Sequence, residues 1–150
     1  MENFIKDWAA HYGAGRDQLL PFLHAMQADL GYIDDACIPL TADLFNISRA
    51  EVHGVVTFYH DFKRQPMGKH VVKLCRAEAC QARGGAQMEA VAARTLGVAM
   101  GATRADGQVS LEPVYCLGLC AVGPNALVDG KPVARIDPVA LDRIAAEVAA

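Results

Sequence analysis

The chain has 150 residues, 53% of them hydrophobic and 21% charged, with a net charge of −3 and an isoelectric point near 5.9. That length holds one ordinary domain, or one domain plus a small helical appendage, and the apolar content excludes a disordered chain. The acidic balance excludes the basic patch or stripe of a nucleic-acid binder, so no nucleic-acid partner is expected.

The N-terminal stretch MENFIKDWAAHYG is broken by Glu2 and Asp7 and carries no apolar core or small-residue cleavage site, so it does not read as a secretory signal. No run approaches about eighteen apolar residues, so no membrane insertion is expected, and the expected location is cytoplasmic. Apolar residues at mixed three- and four-residue spacing predict helices over 3–11 and 17–30, the second carrying Leu19, Leu20, Leu23, Met26 and Leu30. Asp17 is the candidate N-cap, Pro21 falls in the first turn, where its missing N–H is tolerated, and Gly31 is the stop. A third helix is predicted from about Asp35 to Phe45, with Pro39 one turn in and Asn46 at its end. The fourth has the clearest start: in Ser48-Arg49-Ala50-Glu51 the serine stands at N-cap and the glutamate at N3, a capping box, with Ile47 and Val52 placed as a hydrophobic staple. Its aromatic end, Phe58-Tyr59, is expected to pack in the core.

The pattern changes at Gln65-Pro66-Met67-Gly68, which divides the chain into 1–66 and 67–150. His70–Leu74 is a β-rich run ending at Cys75. Residues 84–97 read as a helix with Met88, Val91, Ala92 and Leu96 on one face and Gly97 as its stop. Val109–Tyr115 alternates and ends at Cys116. Residues 126–128 and 132–136 flank Asp129-Gly130, a strong hairpin signal. Pro138 opens a last helix, 138–149, offering Val139, Leu141, Ile144 and Val148 for burial. The expected class is α+β, with an N-terminal helical bundle followed by a compact unit of strands and helices.

Five cysteines in a reducing cytosol read as metal ligands or reactive thiols rather than structural disulfides. Four of them form two close pairs, Cys75-x4-Cys80 and Cys116-x3-Cys120, each beginning where a predicted strand ends, so both pairs are expected on loops. Two adjacent strands ending on the same side of a sheet would bring those loops together. Four thiolates on facing loops suit a soft metal. Zinc favours tighter knuckles but tolerates spacings up to four, whereas a plant-type 2Fe–2S cluster uses a C-x4-C spacing. Two pairs match the two irons of a 2Fe–2S centre; spacing alone leaves zinc and a redox-active thiol pair open. Gly84-Gly85, Gly118 and Gly123 either permit turns or let the backbone point N–H groups at sulfur, and both roles are compatible.

The segments LLPFLHAMQADLGYI, SRAEVHGVVTFYHDF, VKLCRAEACQARGG and YCLGLCAVGPNALVDGK resemble the 24-kDa-type subunit of respiratory complex I and its relatives. The resemblance implies a thioredoxin-like 2Fe–2S ferredoxin domain after the helical segment, with Cys75, Cys80, Cys116 and Cys120 as ligands of one cluster. It implies no active site in this chain and a role as an electron-transfer subunit. Within that family, the loop Arg76-Ala77-Glu78-Ala79 is most similar to the gamma subunit of soluble NAD-dependent formate dehydrogenases, where complex I members more often carry a Gly-Thr or Thr-rich loop. That similarity implies a flavin- and NAD-binding partner holding FMN and, through it, a catalytic subunit holding a molybdenum cofactor, with further clusters between them. The equivalent subunit of complex I or of an NAD-reducing hydrogenase is the first alternative. A structural zinc module and a thiol–disulfide oxidoreductase are alternatives of other classes, the latter weakened by the lack of C-x-x-C.

Other residues carry less. Cys37 is expected to be a small buried thiol rather than a fifth ligand. His53 and His60, seven apart, have no ligand partners in sequence and are expected at a surface or interface. No carboxylate pair is arranged for acid–base work, and no G-x-G-x-x-G follows a strand, so nucleotide binding is assigned to a partner.

Overall fold

The computed structural model describes residues 2–148 and divides into two compact units, Met1–Pro66 and Met67–Ala150. The first is all helix: α1 (Glu2–Tyr12), α2 (Leu19–Leu30), α3 (Cys37–Phe45) and α4 (Arg49–Phe58). Phe22, Leu23, Met26, Ile33, Cys37, Phe45, Val52 and Val56 are buried in one cluster, against which Leu19, Leu20 and Leu30 pack from its edge. A ladder of rings from Phe4 and Trp8 through Phe22 to Phe45 ties α1, α2 and α3 together.

Helix ends follow local chemistry. Gly31 (φ +83°) and Asn46 (φ +49°) terminate α2 and α3 in the left-handed region, which these two residue types tolerate best. The capping box of α4 is complete: the Glu51 N–H donates to Ser48 Oγ (3.1 Å), and the Ser48 N–H donates to Glu51 Oε2 (2.9 Å). Asp17 does not cap α2. It lies inside a 3-10 turn, Arg16–Gln18, and α2 begins at Leu19, because the Asp17 carboxylate takes the Gln18 side-chain amide (2.8 Å) instead of a helical N–H. Helix α3 starts two residues later than predicted, where Asp34 Oδ1 accepts the N–H groups of Ala36 and Cys37. The aromatic end of α4 is not core: Phe58 is 72% and Tyr59 41% exposed. Val52 and Val56 take the inward stripe, and the 3.6-residue period carries Phe58 past it.

The second unit is a five-stranded sheet with helices. Its strands are β1 (His70–Cys75), β2 (Ala102–Thr103), β3 (Val109–Val114), β4 (Ala126–Val128) and β5 (Lys131–Val133), in the order β2-β3-β1-β4-β5. Helices α5 (Glu78–Gln81) and α6 (Gly85–Leu96) cross from β1 toward β2, and α7 (Pro138–Val148) follows β5. β1 and β3 run parallel with Cys75 opposite Val114, while the other pairings are antiparallel. The crossover through α6 is what parallel neighbours require. Val72 and Leu74 of β1, Val109 and Leu111 of β3, Ala92 and Leu96 of α6 and Leu141, Ile144 and Val148 of α7 form one core.

The predicted hairpin is present, with Asp129 (φ +49°) and Gly130 (φ +78°) both left-handed, as a tight two-residue turn needs. The Asp129 carboxylate accepts the Val71 N–H (2.8 Å) and pairs with His70 Nδ1 (2.8 Å), so burial, which raises the pKa of this acid, is outweighed and the group titrates below its ordinary value. At α7, Asp137 is the cap, accepting the Ala140 N–H (2.7 Å). Val139 stands out to solvent at 75% exposure, and Ala140 takes the inward place expected of Val139. The strand β2 and the one-turn helix α5 carry no pattern long enough to register in sequence.

Candidate metal centre

The parallel register of β1 and β3 sets the site. Because Cys75 is opposite Val114, both strands end level, and the chain segments leaving them run side by side. The Arg76 N–H donates to the Val114 carbonyl (2.8 Å), extending that alignment one residue beyond the strands. The two cysteine pairs therefore meet at one end of the sheet. They do not sit wholly on loops, as the spacing suggested. Cys75 is the last residue of β1, Cys80 lies in α5, and only Cys116 and Cys120 belong to the irregular segment after β3, with Cys120 opening a 3-10 turn through Val122.

The four thiols are arranged as two pairs. Cys75 and Cys80 are buried and in side-chain contact; Cys116 and Cys120 are exposed and in contact likewise. Among the described residues, no three His, Cys, Asp or Glu side chains converge on a point where one ion would sit. Burial raises the pKa of Cys75, but N–H groups of Ala77, Cys116 and Leu117 and the Cys80 thiol outweigh it, holding Cys75 below the ordinary thiol range. Two of those N–H groups come from the opposite segment, so the second cysteine segment already stabilises negative charge on the first. Cys80 is raised by burial and by its hydrogen bond to Cys75, against the opposing backbone N–H of Asn125. Cys120 is raised by its contact with Cys116 and by that neighbour's charge.

Glycines shape the surroundings as the sequence allowed, each in a different way. Gly118 (φ +74°) makes a left-handed turn and aims its N–H at Cys116 Sγ (3.4 Å). Gly123 has an ordinary φ, but a Cβ there would stand 3.3 Å from Cys80 Sγ. The backbone at 123 thus lies in the space beside the sulfur. Leu117, Leu119 and Val122 are half-buried and Ala121 is exposed, so the segment around the exposed thiols offers an apolar surface. Asn125, which belongs to no sequence motif, is 2% exposed and touches both Cys80 Sγ and the Leu119 carbonyl. Its only sequence signal is a polar residue at the head of an otherwise apolar strand.

Cys37 is buried in the core of the helical unit, its thiol raised above the ordinary range chiefly by that burial. His53 and His60 are exposed on the same unit. No helix among the described residues is long and apolar enough to cross a membrane.

The donor set, four thiols in two pairs, fits a binuclear iron–sulfur group. A single zinc draws four sulfurs to about 2.3 Å of one point. A 2Fe–2S centre takes two thiolates at each iron, and N–H groups directed at the sulfurs are the usual means of tuning it.

Comparison with known proteins agrees with that chemistry. The family model for thioredoxin-like 2Fe-2S ferredoxins matches residues 5–149. One subunit of the NADH-quinone oxidoreductase of Escherichia coli K12 is 34% identical over 134 residues, covering 89% of this chain and 81% of the relative. The HndA subunit of the NADP-reducing hydrogenase of Solidesulfovibrio fructosivorans is 30% identical over 129 residues, covering 86% and 75%. Among solved structures, an NAD+-reducing NiFe-hydrogenase in its air-oxidised state superposes with a TM-score of 0.75 at 22% identity, over 88% of this chain and 23% of the hydrogenase chain.

Proposed function

Since this chain belongs to the thioredoxin-like 2Fe-2S ferredoxin family, we propose that Cys75 and Cys80 hold one iron of a single 2Fe–2S cluster and that Cys116 and Cys120 hold the other. The observation that carries the assignment is the pairwise arrangement of the thiols, with N–H groups of each segment directed at the sulfur of the other or of its own. When bound, the cluster supplies one-electron redox chemistry. The chain supplies ligands, burial on the Cys75/Cys80 side and an open edge on the Cys116/Cys120 side. An electron carrier has to bring its centre near a partner's acceptor, and the exposed pair with its apolar neighbours Leu117, Leu119 and Val122 is the suited edge. The exposed Phe58 and Tyr59 of the helical unit give a second docking candidate.

The assembly we propose is a soluble, cytoplasmic NAD-dependent formate dehydrogenase, in which this chain docks on a flavin- and NAD-binding subunit linked to a molybdenum-containing catalytic subunit. The loop Arg76–Ala79 supports that reading. The similarity to subunits of NADH-quinone oxidoreductase and of hydrogenase favours a second one, the same carrier in a quinone- or hydrogen-linked complex. Anaerobic purification of the chain with whatever co-purifies tests both levels. About two irons and two acid-labile sulfides per chain are expected, and one zinc without sulfide defeats the cluster assignment. Molybdenum in the co-purifying material supports the formate enzyme; nickel, or quinone reduction without molybdenum, assigns the second assembly.

A further inference from the structure

One side chain of the site that is not a cysteine, Asn125, reaches a sulfur of the first pair and the segment that carries the second. It stands at the head of β4, where its backbone carbonyl accepts the Cys75 N–H (2.9 Å). Its side-chain Nδ2 donates to the Leu119 carbonyl (2.7 Å) and lies 3.7 Å from Cys80 Sγ. One residue thus touches the strand end that carries Cys75, the sulfur of Cys80 and the residue before Cys120. The orientation of the amide is fixed by Leu119. Exchanging its nitrogen and oxygen would set two carbonyl oxygens face to face.

The arrangement has a cost. Asn125 Oδ1 is buried and finds no hydrogen-bond partner among the described residues. A buried polar atom left without a partner is unfavourable and calls for a reason. If the position served packing alone, leucine would match the shape of asparagine and leave nothing unpaired. What leucine lacks is the side-chain N–H directed at the Cys80 sulfur, while the backbone N–H at 125 remains. We propose that Asn125, its amide oriented by the Leu119 carbonyl, is a positioning residue that raises the reduction potential of the cluster through the side-chain N–H it directs at Cys80 Sγ. The inference rests on the ligand assignment proposed above. Its physical basis is charge: reduction makes the cluster and its sulfurs more negative, and a donor at sulfur favours the reduced state.

The test uses the full-length chain loaded with its cluster, as wild type, Asn125→Leu and Asn125→Ala. Iron and sulfide are measured first, then the midpoint potential by anaerobic titration followed in the visible absorbance. Both variants should load as the wild type does, and the equilibrium constant for reduction should fall about tenfold, about 59 mV for a one-electron couple. The sign separates this role from shielding: if Asn125 only excluded water, the smaller alanine would admit solvent, favour the more negative state and raise the potential. An unchanged or raised midpoint in the variants overturns the proposal. So does failure of both variants to load, because Asn125 would then serve to build the site and not to tune it. A wild-type chain that binds no iron and sulfide defeats the ligand assignment instead, which is a separate result.

Discussion

The two units of this chain are built by different kinds of information. In the helical unit, structure follows from signals a few residues apart: the Ser48/Glu51 capping box, the stops at Gly31 and Asn46, and apolar stripes on each helix. In the sheet unit, what matters most is a register between distant segments, Cys75 opposite Val114, which brings two cysteine pairs to one sheet end. Each unit has its own core, and each has its own use of cysteine. Cys37 is a small buried hydrophobe among apolar side chains, whereas the other four are gathered at an end of the sheet where the backbone turns N–H groups toward sulfur. The same residue type is buried among apolar side chains in one unit and proposed as a metal ligand in the other, where the backbone turns N–H groups toward sulfur.

The largest expected effect tests that contrast directly. Cys75→Ser or Cys80→Ser should abolish cluster loading, since each removes a thiolate from the buried pair, where no solvent ligand can replace it. Cys116→Ser or Cys120→Ser should retain partial loading, because the exposed side admits water or the serine oxygen as a substitute. Cys37→Ala should leave iron and sulfide content at the wild-type level. Iron and sulfide per chain decide all five. A cluster lost with Cys37 and kept without Cys120 would reverse the roles of the two units.

Next in size is removal of the helical unit. With residues 1–64 deleted, the sheet unit keeps its core and all four proposed ligands, so absorbance should report normal cluster content. Assembly with the proposed flavin-bearing subunit should be lost in a pull-down, since Phe58 and Tyr59 depart with the helices. Undiminished assembly would place docking on the cluster unit alone.

The helices, the strands β1 and β3, the hairpin and the cysteine pairs are legible in the sequence because each has a periodic pattern or a turn residue with one conformational preference. The misplacements have local causes. Asp17 binds a neighbouring side chain, so a good capping residue stands where no cap forms. Phe58 and Val139 satisfy hydrophobicity but fall on the outward side of their helices. Cys80 lies on a helix too short to show a period. Asn125 is invisible for a different reason: its role depends on three groups distant in the chain, and a single asparagine carries no pattern.

A smaller effect separates the two glycines near sulfur. Gly123→Ala inserts a Cβ 3.3 Å from Cys80 Sγ and 3.4 Å from Arg83 Cδ. The arginine can move aside, but a sulfur holding metal cannot, so the variant should bind less iron and show a shifted visible spectrum. Gly118→Ala meets nothing within 4 Å and keeps its N–H to Cys116, but it forces alanine into φ +74°. Its cost is conformational, about 1–2 kcal/mol. It should lower the thermal midpoint and leave the spectrum unchanged. Equal spectra in the two variants would mean that Gly123 serves only as a turn.

The smallest expected effect lies in the helical unit and tests whether the units are independent. Ser48→Ala removes the hydroxyl that accepts the Glu51 N–H and should cost about 1 kcal/mol. The Glu51 carboxyl is held below its usual range, first by the Ser48 N–H, then by the Ser48 hydroxyl, with Arg16 assisting. A depressed carboxylate stabilises the fold above its unfolded-state pKa, and that stability is lost as pH falls through the lower folded-state value. The wild type should therefore lose part of its stability on acidification, and Ser48→Ala, having lost one of the two Ser48 donors, should show a shallower loss over the same range. Thermal unfolding followed in the far ultraviolet at a series of pH values measures this, and visible absorbance of the cluster on the same samples reads the other unit. The midpoint should fall while the cluster spectrum at neutral pH stays that of the wild type. A bleached cluster at neutral pH would mean that the capping box at Ser48 supports the metal centre, and that the two cores do not stand apart.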